Sequence, residues 1–303
     1  MQPHPASILF ITLDSCRYDT FEAAQAPNLK SVGPLFKAHA PGSFTFSSHS
    51  AMFIGFTPGI EEEVAYANPH YARIFRVAGA GGAAEPWVRL SGRNVIDGFR
   101  RLGYLTVGTG AAGWFNPALM TSRPLVRPFD KFFFAGDTYY LRKQIDFIMR
   151  TIRDETTRPL FVFMNIGETH VPYWHEGASW PLDDGPLKAF REGNDPVACK
   201  ERQRACLEWI DTEMAPVLDH FRDANAIVCA DHGDAWGEDG QWGHGFQHPT
   251  VIDVPLLYRL KNPPQTKGTS TGPRPKMVDK MLDRAADTMV DIARSMKRKA
   301  GVS

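Results

Sequence analysis

Four short apolar runs, rich in β-branched residues, predict buried strands along the chain. They span residues 7–13, 105–110, 160–166 and 227–230. Runs of this kind, without polar alternation, are typical of parallel strands buried on both faces. Residues 138–153 and 200–221 instead carry apolar side chains at helical spacing. Strands and helices in this order predict an α/β fold, with a mixed, mostly parallel central sheet sandwiched by helices.

The first and last of these strands end in side chains that can bind a metal ion. Asp14 follows the first, and Asp231, His232 and Gly233 follow the last. A carboxylate and an imidazole at the end of a buried strand are costly to desolvate without a partner, and Asp with His is a common ligand pair for Zn²⁺ or Mn²⁺. Because ligands collect outside the carboxyl ends of strands, we expect Asp14, Asp231 and His232 to share one cation. The alternatives are carboxylates that cap a turn or a helix, and a histidine that hydrogen-bonds a carbonyl group.

A segment rich in glycine and small hydroxyl residues, 41–50, precedes an apolar helical stretch that Gly55 could close. A hydroxyl group at a helix N-terminus lies where free N–H groups and the helix dipole favour negative charge. That position suits a nucleophilic alkoxide, and equally a bound phosphate or sulfate. Ordinary Ser/Thr capping is the alternative interpretation.

Charge and cysteine content exclude some classes of partner. Lys+Arg and Asp+Glu both number 34 in the 303 residues, so no strong overall field favours nucleic acid or a membrane. The N-terminus lacks the pattern of a secretory signal, and no apolar run approaches a spanning helix. The four cysteines have no CxxC spacing, which argues against a disulfide framework or a cysteine zinc site. We therefore expect a cytoplasmic protein with a small-molecule substrate.

The composition changes near residue 260. Residues 263–275 are rich in Pro, Gly and Thr, as in a linker, and residues 276–299 have the apolar spacing of a helix. We expect a catalytic domain over residues 1–260, followed by a linker and a helix packed on the body over 261–303. A homodimer contact or a membrane-surface helix is the alternative for this last segment.

The order of the motifs resembles that of the sulfatase/alkaline-phosphatase superfamily. The matching features are the strand ending in Asp14, the Ala-Pro-Asn-Leu of residues 26–29, the hydroxyl-led helix, the strand that leads to His170, the Asp231-His232-Gly233 motif and the Trp-Gly-His-Gly of residues 242–245. The resemblance spans roughly residues 6–260. It implies an alkaline-phosphatase-like or sulfatase-like fold and a metal-dependent enzyme.

The resemblance also implies roles for individual residues. Asp14, Asp231 and His232 match metal ligands, and Thr45 matches the nucleophile, which also reaches the metal. His170 and His244 match histidines that hold the charged group of the substrate or a second metal. The remaining candidates for a second metal or for the substrate are His248, Glu168 and His49.

One departure from the family pattern narrows the expected substrate. Sulfatases carry Cys-x-Pro-x-Arg where this chain has Thr45 and, four residues later, His49. We therefore expect hydrolysis or transfer of a phosphate ester with a divalent cation, Zn²⁺ or Mn²⁺ before Mg²⁺ or Ca²⁺. The alternatives are a sulfatase, a phosphonate monoester hydrolase, a phosphomutase-like enzyme and a non-catalytic binding protein.

Aromatic residues in two loops provide candidate contacts for the rest of the substrate. Trp114 follows the predicted strand 105–110, where it is either a packed side chain or part of a substrate-facing loop. The long loop after His170 is rich in proline and tryptophan, and loops of this length are often functional.

Overall fold

The structure is a computed structural model, and it describes residues 4, 6–54, 94–155, 157–188 and 193–261. The chain divides into two units, Met1–Pro263 and Pro264–Ser303, of which the second lies outside the described residues. Gly55, the predicted linker and the predicted C-terminal helix also lie outside them. The division into a catalytic domain and a docked or dimer-forming helix therefore stays a prediction.

Seven strands form the main sheet of the described residues. They are β1 (Ile8–Leu13), β2 (Phe36–His39), β3 (Leu105–Gly110), β4 (Lys131–Phe134), β5 (Leu160–Ile166), β6 (Asn225–Ala230) and β9 (Asp253–Arg259). Their order across the sheet is β2-β9-β6-β1-β5-β3-β4. All pairs from β6 to β4 are parallel, whereas β9 is antiparallel to both β6 and β2. The predicted mixed, mostly parallel sheet is confirmed.

Helices connect the strands. They are α1 (Tyr18–Ala23), α2 (Pro27–Lys30), α3 (Thr45–Ile54), α4 (Val95–Arg101), α5 (Arg123–Val126), α6 (Leu141–Asp154), α7 (Pro196–His220) and α8 (Pro249–Ile252). A two-stranded ribbon, β7 (Ala235–Trp236) with β8 (Trp242–Gly243), lies between β6 and α8.

The two long helices begin where carboxylates satisfy their first N–H groups. α7 begins at Pro196, before the predicted residue 200, because the Asp195 side chain accepts from the N–H groups of Val197 and Ala198. α6 begins at Leu141 rather than at residue 138, and Glu168 accepts the Leu141 N–H at 2.9 Å. The second boundary depends on a residue far away in the sequence.

The sheet separates two apolar clusters, as the alternation of side chains along β5 shows. Val162 and Met164 pack in a cluster that includes apolar residues of α6 and α7. Phe161 and Phe163 point to the opposite face and pack in a second cluster, rich in phenylalanine. Burial on both faces explains why the strand is apolar throughout.

The register of the central strands brings three loops to one edge of the sheet. Leu13, the last residue of β1, pairs with Ile166 of β5 on one side and with Ala230 of β6 on the other. The residues that follow these strands, Asp14 and Asp231 among them, therefore meet at the carboxyl edge.

Candidate active site

The structure brings the three predicted metal ligands together at this edge. Asp14, Asp231 and His232 are fully buried, and one ligand atom from each lies within 4.8 Å of the others. His232 Nε2 is 3.6 Å from Asp14 Oδ1 and 3.7 Å from Asp231 Oδ2. This group is called the acid–imidazole cluster below.

Backbone contacts hold the cluster in place. Asp231 Oδ1 accepts hydrogen bonds from the N–H groups of Ser15 and His232, at 3.1 and 3.0 Å. The Nδ1 of His232 is 2.9 Å from the carbonyl of Gly233 and donates to it, which leaves the lone pair on Nε2. A Cβ at Gly233 would lie 2.2 Å from the carbonyl oxygen of Thr250, so only glycine fits there.

The electrostatics of the cluster favour a cation. Burial raises the pKa of Asp14 to about 6, with a further contribution from Asp231, and burial raises the pKa of Asp231 to about 7. Burial also lowers the pKa of His232 to about 4. Asp231 Oδ2 is buried without a hydrogen-bond partner among the described residues. Two carboxylates, a neutral imidazole and an unpartnered oxygen fit a divalent cation.

Thr45 directs its hydroxyl group at the cluster from the first residue of α3. Its Oγ1 lies 3.5 Å from both carboxylate oxygens of Asp14 and 3.5 Å from His232 Nε2. The helix is fixed to the β6 loop because Ser48 Oγ donates to the carbonyl of Asp231 at 2.6 Å. The predicted nucleophile and the predicted metal ligands thus share one buried site.

Two further imidazoles, those of His170 and His244, lie beside the cluster. Their ring centroids are 5.4 Å apart, and that of His244 is 4.3 Å from the His232 ring. His170 donates from Nδ1 to the carbonyl of Val171 at 2.8 Å. His244 Nδ1 is 2.6 Å from Asp234 Oδ1. In both rings Nε2 is therefore the nitrogen available to a ligand.

Asp234 is a residue of the site that the sequence analysis did not identify. Besides contacting His244, Asp234 accepts a hydrogen bond from the Tyr173 hydroxyl at 2.9 Å. The hydroxyl oxygen of Tyr173 in turn accepts a hydrogen bond from Trp236 Nε1 at 2.8 Å. Burial by itself raises the pKa of Asp234, but His244 outweighs burial and holds it well below its usual range. Conversely, burial lowers the pKa of His244, but Asp234 outweighs this effect and raises it. The only feature of the sequence that could have indicated this role is the position of Asp234 directly after Asp231-His232-Gly233.

Gln203 was also missed, because it belongs to the middle of a helix. Its side-chain N–H groups donate to the carbonyls of Ser15 and Thr169, at 2.9 and 3.0 Å, and its Oε1 accepts from the N–H of Arg17 at 3.3 Å. Gln203 thereby ties the loop after Asp14 to the loop that carries His170.

The structure does not bring His49 to the substrate side. His49 is fully buried; its Nδ1 donates to the carbonyl of Thr45 at 2.7 Å, and its Nε2 accepts from the Thr12 hydroxyl at 2.9 Å. Burial lowers its pKa to about 3, so the ring is neutral. With both nitrogens engaged, it has none for a metal or substrate, and its expected role there is corrected to a structural one.

Glu168 and His248 also lie outside the acid–imidazole cluster. Burial raises the pKa of Glu168 to about 8, and the group caps α6 as described above. His248 contacts Thr250 Oγ1 at 2.7 Å and Asp239 Oδ2 at 3.3 Å, and its side chain caps α8. Each has a local structural contact, and the second carboxylate oxygen of Glu168 is buried without a hydrogen-bond partner among the described residues. A role of either residue at a second metal stays a prediction.

Comparisons with solved structures identify the fold of this chain. No protein-family model matches the sequence, and no curated protein matches it either. The solved structures similar to this chain include the periplasmic domain of the phosphoethanolamine transferase EptC from Escherichia coli in complex with Zn, with a TM-score of 0.55 and 12% identity over 85% of this chain and 73% of that one.

Two further solved structures are similar to this chain. The phosphonate monoester hydrolase of Agrobacterium radiobacter has a TM-score of 0.55 and 15% identity over 84% of this chain and 68% of that one. A protein of the alkaline phosphatase superfamily from Vibrio parahaemolyticus has a TM-score of 0.50 and 15% identity over 86% of this chain and 62% of that one.

The comparisons correct one expectation. The argument from composition and from the N-terminal residues for a cytoplasmic protein was wrong, since the similar structures include periplasmic domains of phosphoethanolamine transferases. Among the described residues, no helix has the length and apolar character needed to cross a membrane.

The resemblance predicted from the order of the motifs is confirmed at the level of the fold. The similar structures are transferases and hydrolases of one superfamily, and the mostly parallel sheet with flanking helices is theirs. The chain therefore has the alkaline-phosphatase-like fold of the sulfatase/alkaline-phosphatase superfamily.

Proposed function

We propose that this protein is a metal-dependent enzyme that hydrolyses or transfers a phosphate ester, with Thr45 as the nucleophile. The observation that carries the proposal is the position of the Thr45 hydroxyl, 3.5 Å from both Asp14 and His232 in a buried cluster. Two buried acids and an imidazole are costly to hold together, which indicates that the cluster has a function. The hydroxyl of Thr45 lies within reach of that cluster and can take part in the function.

The residues that would hold the cation are Asp14, Asp231 and His232, with the hydroxyl of Thr45 as a fourth ligand. This set of oxygen and nitrogen donors suits Zn²⁺ or Mn²⁺ better than Mg²⁺ or Ca²⁺. A divalent cation supplies positive charge that lowers the pKa of a hydroxyl and neutralises a phosphoryl oxygen. The zinc found in the similar E. coli domain supports this choice.

The reaction follows from the residues around Thr45. The Thr45 hydroxyl releases its proton to solvent, and its oxygen attacks phosphorus, so that a new P–O bond forms as the bond to the leaving alcohol breaks. His244 contacts Asp234 through Nδ1, and Asp234 raises its pKa, which favours donation of a proton from Nε2 to the leaving oxygen. His170 can donate to a non-bridging oxygen. Water, or an acceptor alcohol in a transferase, then attacks phosphorus and gives its proton to His244. The bond between phosphorus and Thr45 Oγ1 breaks, and the Thr45 oxygen takes up a proton again from solvent.

Phosphate esters are favoured over sulfate esters by the residues at positions 45 and 49. A sulfatase expels sulfate from a hydrated formylglycine that collapses to an aldehyde, and threonine has no such route. The arginine of the sulfatase motif is replaced by His49, which is neutral and fully engaged. Hydrolysis of a phosphothreonine is easier, because the leaving Thr45 oxygen lies among the groups that would hold a cation.

A panel of substrates with one leaving group tests the proposal. With Zn²⁺ or Mn²⁺ supplied, we expect kcat/KM for a p-nitrophenyl phosphate mono- or diester to exceed that for p-nitrophenyl sulfate by at least about tenfold, or roughly 1.4 kcal/mol. Adding an acceptor alcohol to the same assay separates transfer from hydrolysis. A reversed ranking in the metal-loaded protein would restore the sulfatase alternative.

Substitutions of Thr45 test the nucleophile. Thr45→Ala should lower kcat by about 10³-fold or more while the remaining ligands keep metal affinity, and Thr45→Ser should retain measurable turnover. Ser50→Ala, in the same helix, is the matched control and should turn over like the wild type. Wild-type rates in Thr45→Ala would show that another group attacks phosphorus.

A further inference from the structure

Three aromatic side chains lie together beside the proposed nucleophile. Phe44 and Phe46 flank Thr45 in the sequence, and the ring centroid of Trp114 lies 6.2 Å from that of Phe44 and 5.2 Å from that of Phe46. All three side chains are only partly buried. Phe44, Phe46 and Trp114 are called the aromatic wall below.

The loop that carries Trp114 is held firmly at the carboxyl edge of the sheet. It follows β3, and Asn165 Oδ1 of β5 accepts hydrogen bonds from the N–H groups of Ala111 and Ala112 at 3.2 and 3.4 Å. Phe115 is fully buried against Gly110, where a Cβ would lie 2.3 Å from the phenylalanine ring. Phe115 therefore anchors the loop in the core, and its neighbour Trp114 is left partly exposed at the edge.

The segment before Thr45 is also joined to the loop of His244, because the N–H of Gly245 donates to the carbonyl of Ser43 at 2.8 Å. His170 lies beside His244, with ring centroids 5.4 Å apart. The segment from Ser43 to Phe46 therefore contacts the imidazole loop through Ser43 and Trp114 through Phe44 and Phe46.

We propose that the aromatic wall binds an apolar, preferably aromatic, organic group attached to the phosphorus of the substrate. The substrate class is then a phosphate diester or a phosphonate monoester with a bulky apolar substituent. This inference rests on the proposed function only in taking phosphorus as the reacting centre. A charged phosphoryl oxygen facing the rings would lose water without gaining a partner, whereas a carbon substituent buries apolar area there. Charge is recognised by the imidazoles, and carbon by the rings.

A pair of simple anions tests the wall apart from catalysis. Methylphosphonate and phenylphosphonate carry the same charged group and differ only in the organic group, so the ratio of their Kd values measures the wall. For the zinc-loaded protein, isothermal titration calorimetry should show phenylphosphonate binding about tenfold or more tightly than methylphosphonate. In Trp114→Ala the two Kd values should differ by no more than about threefold, whereas Trp114→Phe should keep most of the wild-type difference.

Tyr258→Ala provides a matched control. Tyr258 is a partly exposed aromatic residue that stacks on Phe36 with centroids 5.5 Å apart, much as Trp114 packs on Phe46. It pairs with Ile227 near the start of β6, far along the strand from Asp231. Its removal should leave the phosphonate ratio unchanged, and a melting curve for each variant shows that it is folded.

Three outcomes separate this inference from the proposed function. A Trp114→Ala protein with the wild-type ratio overturns the inference, whatever is hydrolysed. Equal weakening of both phosphonates also overturns it, because this result assigns Trp114 a purely structural role. A ratio that depends on Trp114 in a protein that turns over no phosphate or phosphonate ester supports the wall and overturns the proposed function alone.

Discussion

 

Two buried histidines, His232 and His49, differ in the partners of their ring nitrogens. Both side chains are fully buried, and each has a ring nitrogen 3.7 Å from Asp231 Oδ2. Both nitrogens of His49 have hydrogen-bond partners, whereas His232 leaves Nε2 facing two carboxylates. Burial of an imidazole therefore does not by itself indicate function. The position of His232 Nε2 beside two carboxylates and the Thr45 hydroxyl does, as does the unpartnered oxygen of Asp231.

The sharpest way to break this comparison is to remove the charge of Asp231. Asp231→Asn should lower kcat/KM by about 10³-fold and weaken zinc binding, because the cluster loses a ligand charge. The melting temperature of the metal-free protein should stay the same or rise, since a buried carboxylate oxygen without a partner is costly. Kinetics, zinc titration and calorimetry of the metal-free protein measure the three effects. A large loss of stability without metal would assign Asp231 to the structural side of the comparison.

His49 should show the opposite behaviour. His49→Ala removes a ring with two buried hydrogen bonds and leaves a cavity, so the free energy of unfolding should fall by about 2–4 kcal/mol. Urea denaturation of the metal-free protein measures this loss. Zinc affinity of the folded fraction should change little. If zinc binding disappears while stability is kept, His49 takes part in the metal site after all.

Asp234 sharpens the comparison at a third imidazole, His244. Asp234→Asn should lower kcat/KM by about 10- to 100-fold, because it removes the anion that orients and charges His244. Zinc affinity should be nearly unchanged, since Asp234 is not among the cluster ligands. Tyr173→Phe is the milder control, because it removes only the hydroxyl group that donates a hydrogen bond to Asp234 Oδ2. Equal losses of zinc affinity and activity would argue against this separation of roles.

Glu168 gives an effect that depends on pH. Its folded-state pKa of about 8 lies above the ordinary value of 4.5, so its stabilising contribution is complete below 4.5 and is lost as the pH rises through 8. The stability of the wild type relative to Glu168→Gln should therefore fall between these values, by at most about 1.4 kcal/mol per pH unit. Urea denaturation of both metal-free proteins from pH 5 to 8 tests this. A constant difference would contradict the raised pKa.

Local pattern was sufficient for the sheet and for the candidate ligands. The apolar runs predicted β1, β3, β5 and β6 to within a few residues, because a strand buried on both faces has little choice of side chain. Asp14 and Asp231 follow adjacent parallel strands, so the topology alone brings them to one edge. The order of the motifs added Thr45, His170 and His244.

Only the tertiary structure could separate the functional polar residues from the structural ones. His49, Glu168 and His248 have the chemistry of ligands, but their partners, such as Thr12 and Leu141, come from other elements. Asp234 and Gln203 were missed for the same reason, since the contacts that make them important join distant segments. A sequence states which groups can bind a metal or a proton. Whether a group is already satisfied depends on which atoms folding places within hydrogen-bond distance of it.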